Sequence, residues 1–208
     1  MRINSVNIRT KNMNTKQRQN SIETANLVLE FFASDYFQIK MLNVKLDILR
    51  GESKNSVTKR LNNQEMYDLL MSGKEEWNGI IDYEIDLVVS RYKKMWSKVK
   101  GYIIPMKPTV HVNAKYFDNQ TPEYTGINLS HEWTHTMGCR HSGKFFRESL
   151  PYYVGAWFKD WIENIRDIST PQEIEIIREI KTKEVCKRVW WKLWLGFECR
   201  TVVMKNNK

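Results

Sequence analysis

His131-Glu132-Trp133-Thr134-His135-Thr136-Met137-Gly138-Cys139-Arg140-His141 places three of the chain's four histidines within one short stretch. Each specified position has its own physical task. His131 and His135 stand four apart, so on an α-helix they project from one face, one turn from each other. Two imidazoles so spaced can share one tetrahedral Zn²⁺ at roughly 2.0–2.1 Å per Zn–N bond. Glu132 is placed to reach the open side of such a metal and take a proton from water there. Gly138 can end the helix in the left-handed conformation that other residues avoid. The chain then turns back, and His141 can add a third ligand. Three protein ligands leave a fourth position open, as a catalytic site needs and a closed structural site does not. At average composition this full pattern arises by chance in on the order of one chain in 10⁵ of this length.

Around the pattern, Leu129, Trp133, Thr136 and Met137 fall on the helix side away from the ligand pair, so one face can pack while the other meets a cleft. Thr125-Gly126 is the expected helix start, with Thr125 as cap. Just upstream, Val110-His111-Val112-Asn113-Ala114-Lys115 reads as a strand. It can form the upper edge of a cleft and bind an extended peptide by strand addition, or it can be an ordinary internal strand. His111 stands apart from the motif and reads as a satisfied surface or edge histidine.

Further upstream, residues 100–104 and 109–117 read as strands, divided by Pro105 and Pro108. Residues 83–92 alternate, with Ile85, Leu87 and Val89 on one face, as in a half-buried strand. Asn62-Asn63-Gln64-Glu65 is a helix start, closed by Gly73. Residues 51–56 read as a turn or loop, 36–48 as a weak strand and 21–32 as a helix. Residues 1–20, polar and without clear periodicity, read as a flexible arm.

Downstream, Ser149-Leu150-Pro151-Tyr152-Tyr153 reads as a tight turn. Val154, Trp157, Phe158, Trp161, Ile162 and Ile165 follow it at helical spacing and form an aromatic stripe that core packing explains. Ser169-Thr170-Pro171 starts a further helix with Ile174, Ile177 and Ile180 inward. The tail, 185–194, is basic and Trp-rich. It reads either as a membrane-interface or partner-binding element or as a strand or hairpin covering the domain.

With 208 residues, 41% hydrophobic and 27% charged, the chain suits one soluble domain with a small C-terminal addition. The boundaries expected are a 1–20 arm, a 21–168 catalytic domain, and a 169–208 helix and tail packed on it. No apolar run is long enough to span a bilayer, and no h-region of a secretory signal follows the basic N-terminus. The net charge of +9 comes without a nucleic-acid motif, so no specific nucleic-acid partner is expected; weak membrane-surface binding by the tail stays open. Of three cysteines, Cys139 reads as a packing residue, and Cys186 and Cys199 can pair if the tail is a hairpin. Oligomeric state and compartment are not read from the chain.

The motif and the elements over residues 60–165 resemble the metzincin metallopeptidases, and more narrowly small bacterial or phage proteins of that clan. The resemblance implies an α+β fold: a twisted mixed sheet, an active-site helix on the floor of a cleft, and a C-terminal helical subdomain. It implies one Zn²⁺ per chain on His131, His135 and His141, with Glu132 as general base and a peptide or protein as substrate. Members carry a methionine turn beneath the metal. The matching stretch here is Ser149–Tyr153, where Pro151 stands in place of Met and Tyr153 aligns with a tyrosine able to approach the metal. The expected function is a zinc-dependent endopeptidase. The alternative is a catalytically silent zinc-binding fold that serves as a protein- or surface-binding module.

Overall fold

A computed structural model describes residues 2–44, 61–105, 107–141 and 149–166 in full, and the backbone of 181–189 and 196–204. The fold is α+β. In chain order the elements are β1 (Ser5–Lys11), α1 (Thr15–Ala33), α2 (Asp35–Asn43), α3 (Asn63–Met71), β2 (Glu84–Tyr92), β3 (Gly101–Ile103), β4 (Thr109–Asn113), α4 (Ala114–Phe117), α5 (Pro122–Thr136), α6 (Leu150–Asn164), β5 (Lys181–Val189) and β6 (Gly196–Met204).

The sheet is mixed, in the order β3-β4-β2-β1-β6-β5. Strands β1, β2 and β4 run parallel, whereas β3 is antiparallel to β4 and β6 antiparallel to β1. Period-two patterning places Ile85, Leu87 and Val89 of β2 in the core, as expected from their alternation. At the other end of the molecule β5 and β6 form a hairpin, whose register sets Cys186 opposite Cys199. Residues 51–56, the helix expected after Ser169 and the tail tryptophans at 190–194 lie outside the described residues.

Several expectations are corrected. The N-terminal stretch is not an arm: β1 lies between β2 and β6, and Ile3, Val6 and Ile8 are buried. A strand covered on both faces needs no alternation, and Asn7 is accommodated because its amide donates to Asp86 at 2.5 Å. Residues 36–43, expected as the start of a strand, are helical, and 45–48 lie outside the described residues. Ser34 caps Phe37 N–H and starts α2, whose Phe37 and Met41 lie four apart on its buried face. The strand expected over 109–117 ends at Asn113, where a short helix begins; of the two readings left open for it, the internal strand is the one observed. The sheet edge belongs to β3.

Helix α3 begins as its sequence indicates, with a reciprocal cap between Asn62 and Glu65, and Gly73 follows it at φ +66°. Helix α5 starts earlier than Thr125-Gly126, at Pro122, where proline's missing N–H goes unnoticed. Thr125 is interior and caps nothing. The core under the sheet is aromatic: Phe32 meets Trp133 of α5, and Phe31 meets Phe37 of α2 and Phe158 and Trp161 of α6, in edge and tilted contacts of 4.6–5.7 Å.

Candidate metal centre

Leu129, Trp133, Thr136 and Met137 are buried, so α5 turns its opposite face to a cleft. That face carries His131, Glu132 and His135. The helix ends at Gly138, whose φ of +89° reverses the chain and returns His141 to the same place. One ligand atom from each of His131, His135 and His141 lies within 4.8 Å of the others, a cluster able to hold a metal ion.

The outer nitrogens of these rings are all engaged. His135 Nδ1 donates to the Cys139 carbonyl at 2.7 Å, His141 Nδ1 bonds Ser149 Oγ at 2.7 Å, and His131 bonds the backbone of Pro151. Such partners orient metal-binding imidazoles and choose their tautomer. With its proton on Nδ1, His135 offers only a lone pair at Nε2. That atom lies 3.1 Å from His141 Nε2, so two basic nitrogens converge where a cation would sit. Burial, with the neighbouring histidines adding to it, lowers the pKa of His131 to about 3; burial likewise lowers that of His135 to about 4. Both are therefore neutral at ordinary pH, the form a metal requires. The donor set fits a borderline cation such as Zn²⁺.

Glu132 is only 6% exposed, and burial raises its pKa to about 7. It lines the cleft beside the triad, and its carboxylate accepts no hydrogen bond from any other described residue.

Tyr153, expected near the metal, packs instead on Trp157 at 5.8 Å and against the core. Its neighbour Tyr152 occupies the cleft, with its ring 4.6 Å from that of His131 and 4.9 Å from that of His141. The reason is local. Ser149 to Tyr153 is the first turn of α6 rather than a loop, so adjacent side chains diverge by about 100° and only one can face the ligands. His111 is outside the cluster and stacks on Tyr102 at 4.7 Å.

The cleft holds about 1130 Å³ and runs between α5 and the edge strand β3, with Lys100, Gly101, Tyr102 and Ile103 on one wall and Tyr152, Gly155 and Ala156 on the other. Gly101 permits this approach, because a Cβ there would lie 2.4 Å from the Asn128 amide of α5.

Supporting residues that sequence reasoning missed come from the loop after α3. Glu75 accepts from Trp133 Nε1 at 3.2 Å, Glu76 N–H donates to the Thr136 carbonyl at 2.7 Å, and Glu76 pairs with Arg140. Arg140 also donates to the carbonyls of His135 and Cys139, at 2.9 and 3.2 Å, bracing the turn that returns His141. A paired Glu-Glu in a polar loop carries no local signal of this role. A second cluster, Asp82, Glu84 and Asp86, also brings carboxylates together, but Asp82 and Asp86 already accept from Glu84 N–H and from Asn7 and Asn78.

No protein-family model matches the chain, and no curated protein or solved structure matches it significantly.

Proposed function

We propose that the chain is a zinc-dependent endopeptidase of the metzincin type. The observation carrying this reading is the meeting of three oriented imidazoles and one buried carboxylate, without a hydrogen-bond partner among the described residues, on the floor of a cleft bounded by an edge strand. The order of mixed sheet, edge strand, ligand helix and following helix supports the same assignment.

His131, His135 and His141 would hold the metal. Bound Zn²⁺ would supply Lewis acidity, lowering the pKa of water and polarising the scissile carbonyl. Glu132 is the proton carrier. Its raised pKa brings it near neutrality, where one group can both accept a proton from attacking water and return it to the leaving amine. β3, with its outer edge unpaired among the described residues, offers backbone groups to an extended peptide. Tyr152, beside two ligands, is the side chain best placed to donate to a developing oxyanion; Tyr153 is not.

The deciding measurement is metal content of the wild type and Glu132→Gln, paired with cleavage of a mixed peptide library. Both proteins are expected to hold one zinc, and Glu132→Gln to lose about 10²–10⁴-fold in turnover. Zinc in both with no cleavage by the wild type would favour a binding module. Absence of zinc from both would end the proposal.

A further inference from the structure

Between Asp86 and Asp118 the chain carries no acidic residue, yet it holds Arg91 and six lysines. Four of these, Lys93, Lys94, Lys98 and Lys100, lie exposed in the connection between β2 and β3 and form no ion pair among the described residues. The same connection presents Met95 at 53%, Trp96 at 97% and Val99 at 50% exposure. Leaving an indole almost wholly in water forfeits the burial that usually retains tryptophan in a fold.

This connection is a built element. Buried Asn113 accepts from Lys94 N–H at 3.3 Å, and its amide donates to the carbonyls of Lys94 and Val99 at 3.0 and 3.2 Å. Tyr116 Oη donates to the Ser97 carbonyl at 3.1 Å, and Ser97 N–H closes the turn on the Lys94 carbonyl at 3.2 Å. The base is thus pinned to β4 and α4, and the Met95-Trp96 apex is held outward.

We propose that residues 93–100 form a finger that docks on an anionic lipid bilayer. Trp96, with Met95 and Val99, enters the headgroup region, and the four lysines sit among lipid phosphates with their stems along the apolar boundary. A projecting apex suits a deformable planar surface, whereas a protein partner would have to supply a matching pocket. Aliphatic Met95 and Val99 suit hydrocarbon; a single-strand binder instead lines a groove with successive aromatic rings for bases to stack on. Because Lys98, Val99 and Lys100 also line the cleft, docking would bring the mouth of the candidate site to the membrane surface.

The test is co-sedimentation of the full chain with vesicles of phosphatidylcholine alone, or with about one third phosphatidylserine. It needs neither bound metal nor turnover, so its result is independent of the peptidase reading. Wild type is expected on the anionic vesicles only. Trp96→Ala should lower partitioning about tenfold. Replacing Lys93, Lys94, Lys98 and Lys100 together by Gln should lower it about 100-fold or more. Matching melting temperatures would show that these exposed substitutions leave the fold intact. Binding to neutral vesicles equally well, no binding at all, or unchanged partitioning of Trp96→Ala would overturn the proposal; the last would move any affinity to the basic tail. Tighter binding of a charge-matched single-stranded oligonucleotide, lost in both variants, would also overturn it and make the ligand nucleic acid.

Discussion

At the scale of single residues, the most consequential group outside the cleft is Glu75. Its side chain is fully buried, and its oxygens accept from Trp133 Nε1, the Asp86 amide and Asn78. Burial raises its pKa from 4.5 to about 7, against the pull of those donors. The folded state therefore keeps this proton to higher pH than the unfolded chain does. The associated stability is fully present below pH 4.5 and is lost as pH rises through about 7. At about 1.4 kcal/mol per pH unit, the loss is on the order of 3 kcal/mol across that window. Glu75→Gln removes the titration while keeping an acceptor for Trp133. Urea unfolding of both metal-free proteins at the two ends of the window is expected to show the wild type losing about 2–3 kcal/mol more than the variant. The opposite slopes from His131 and His135, common to both proteins, cancel in that comparison. Parallel pH dependences would refute the assignment.

At the scale of elements, the close crossing of α5 and α6 presents Tyr152 to the ligands. Gly126 makes the crossing possible: a Cβ there would lie 2.4 Å from Phe158 Cζ and 2.7 Å from Cε1. The Phe158 ring cannot swing aside, since it is buried and packs on Phe31 at 5.2 Å and Trp161 at 5.9 Å. Gly126→Ala is therefore expected to destabilise the fold by about 1–3 kcal/mol, despite alanine's better helix propensity. In a thermal melt each kcal/mol corresponds to about 2–4 °C for a domain of this size. Adding Phe158→Leu should recover part of the loss. A Gly126→Ala protein that melts no lower than wild type would show that the helices separate freely.

At the scale of the whole molecule, a metal on the three histidines would join a helix to the turn that follows it. The candidate ligands His131 and His135 ride on a helix buried against the aromatic core, whereas His141 follows Gly138 and is tied to Ser149 at the start of α6. A cation bound by the folded state alone stabilises it through mass action, by about 2.7 kcal/mol at 100 times its dissociation constant. Zinc is thus expected to raise the melting temperature of the wild type by about 5–10 °C, reversibly with chelator. Glu132→Gln should show the same shift, and His135→Ala should lose it. A shift that survives His135→Ala would place the bound ion elsewhere. No helix among the described residues is long and apolar enough to cross a membrane.

Much of the site was legible in the chain because its information is local. The spacing of His131, His135 and His141, the left-handed glycine after the helix, the Asn62–Glu65 cap and the alternation of β2 are all set within a few residues. Other features depend on partners distant in sequence. Residues 5–11 read as a polar arm, yet they form a strand because β2 and β6 supply hydrogen bonds and cover. The order of strands in the sheet made β3, rather than the strand nearest the motif, the wall of the cleft. A helix beginning at Leu150 exchanged Tyr153 for Tyr152 at the ligands, and a loop from before β2 brought Glu75 and Glu76 under the motif. By itself the sequence determined which residues can bind a metal and on what periodicity, since short-range backbone geometry sets both. Only the tertiary structure decided what surrounds them, because packing and strand pairing join residues that no local pattern connects.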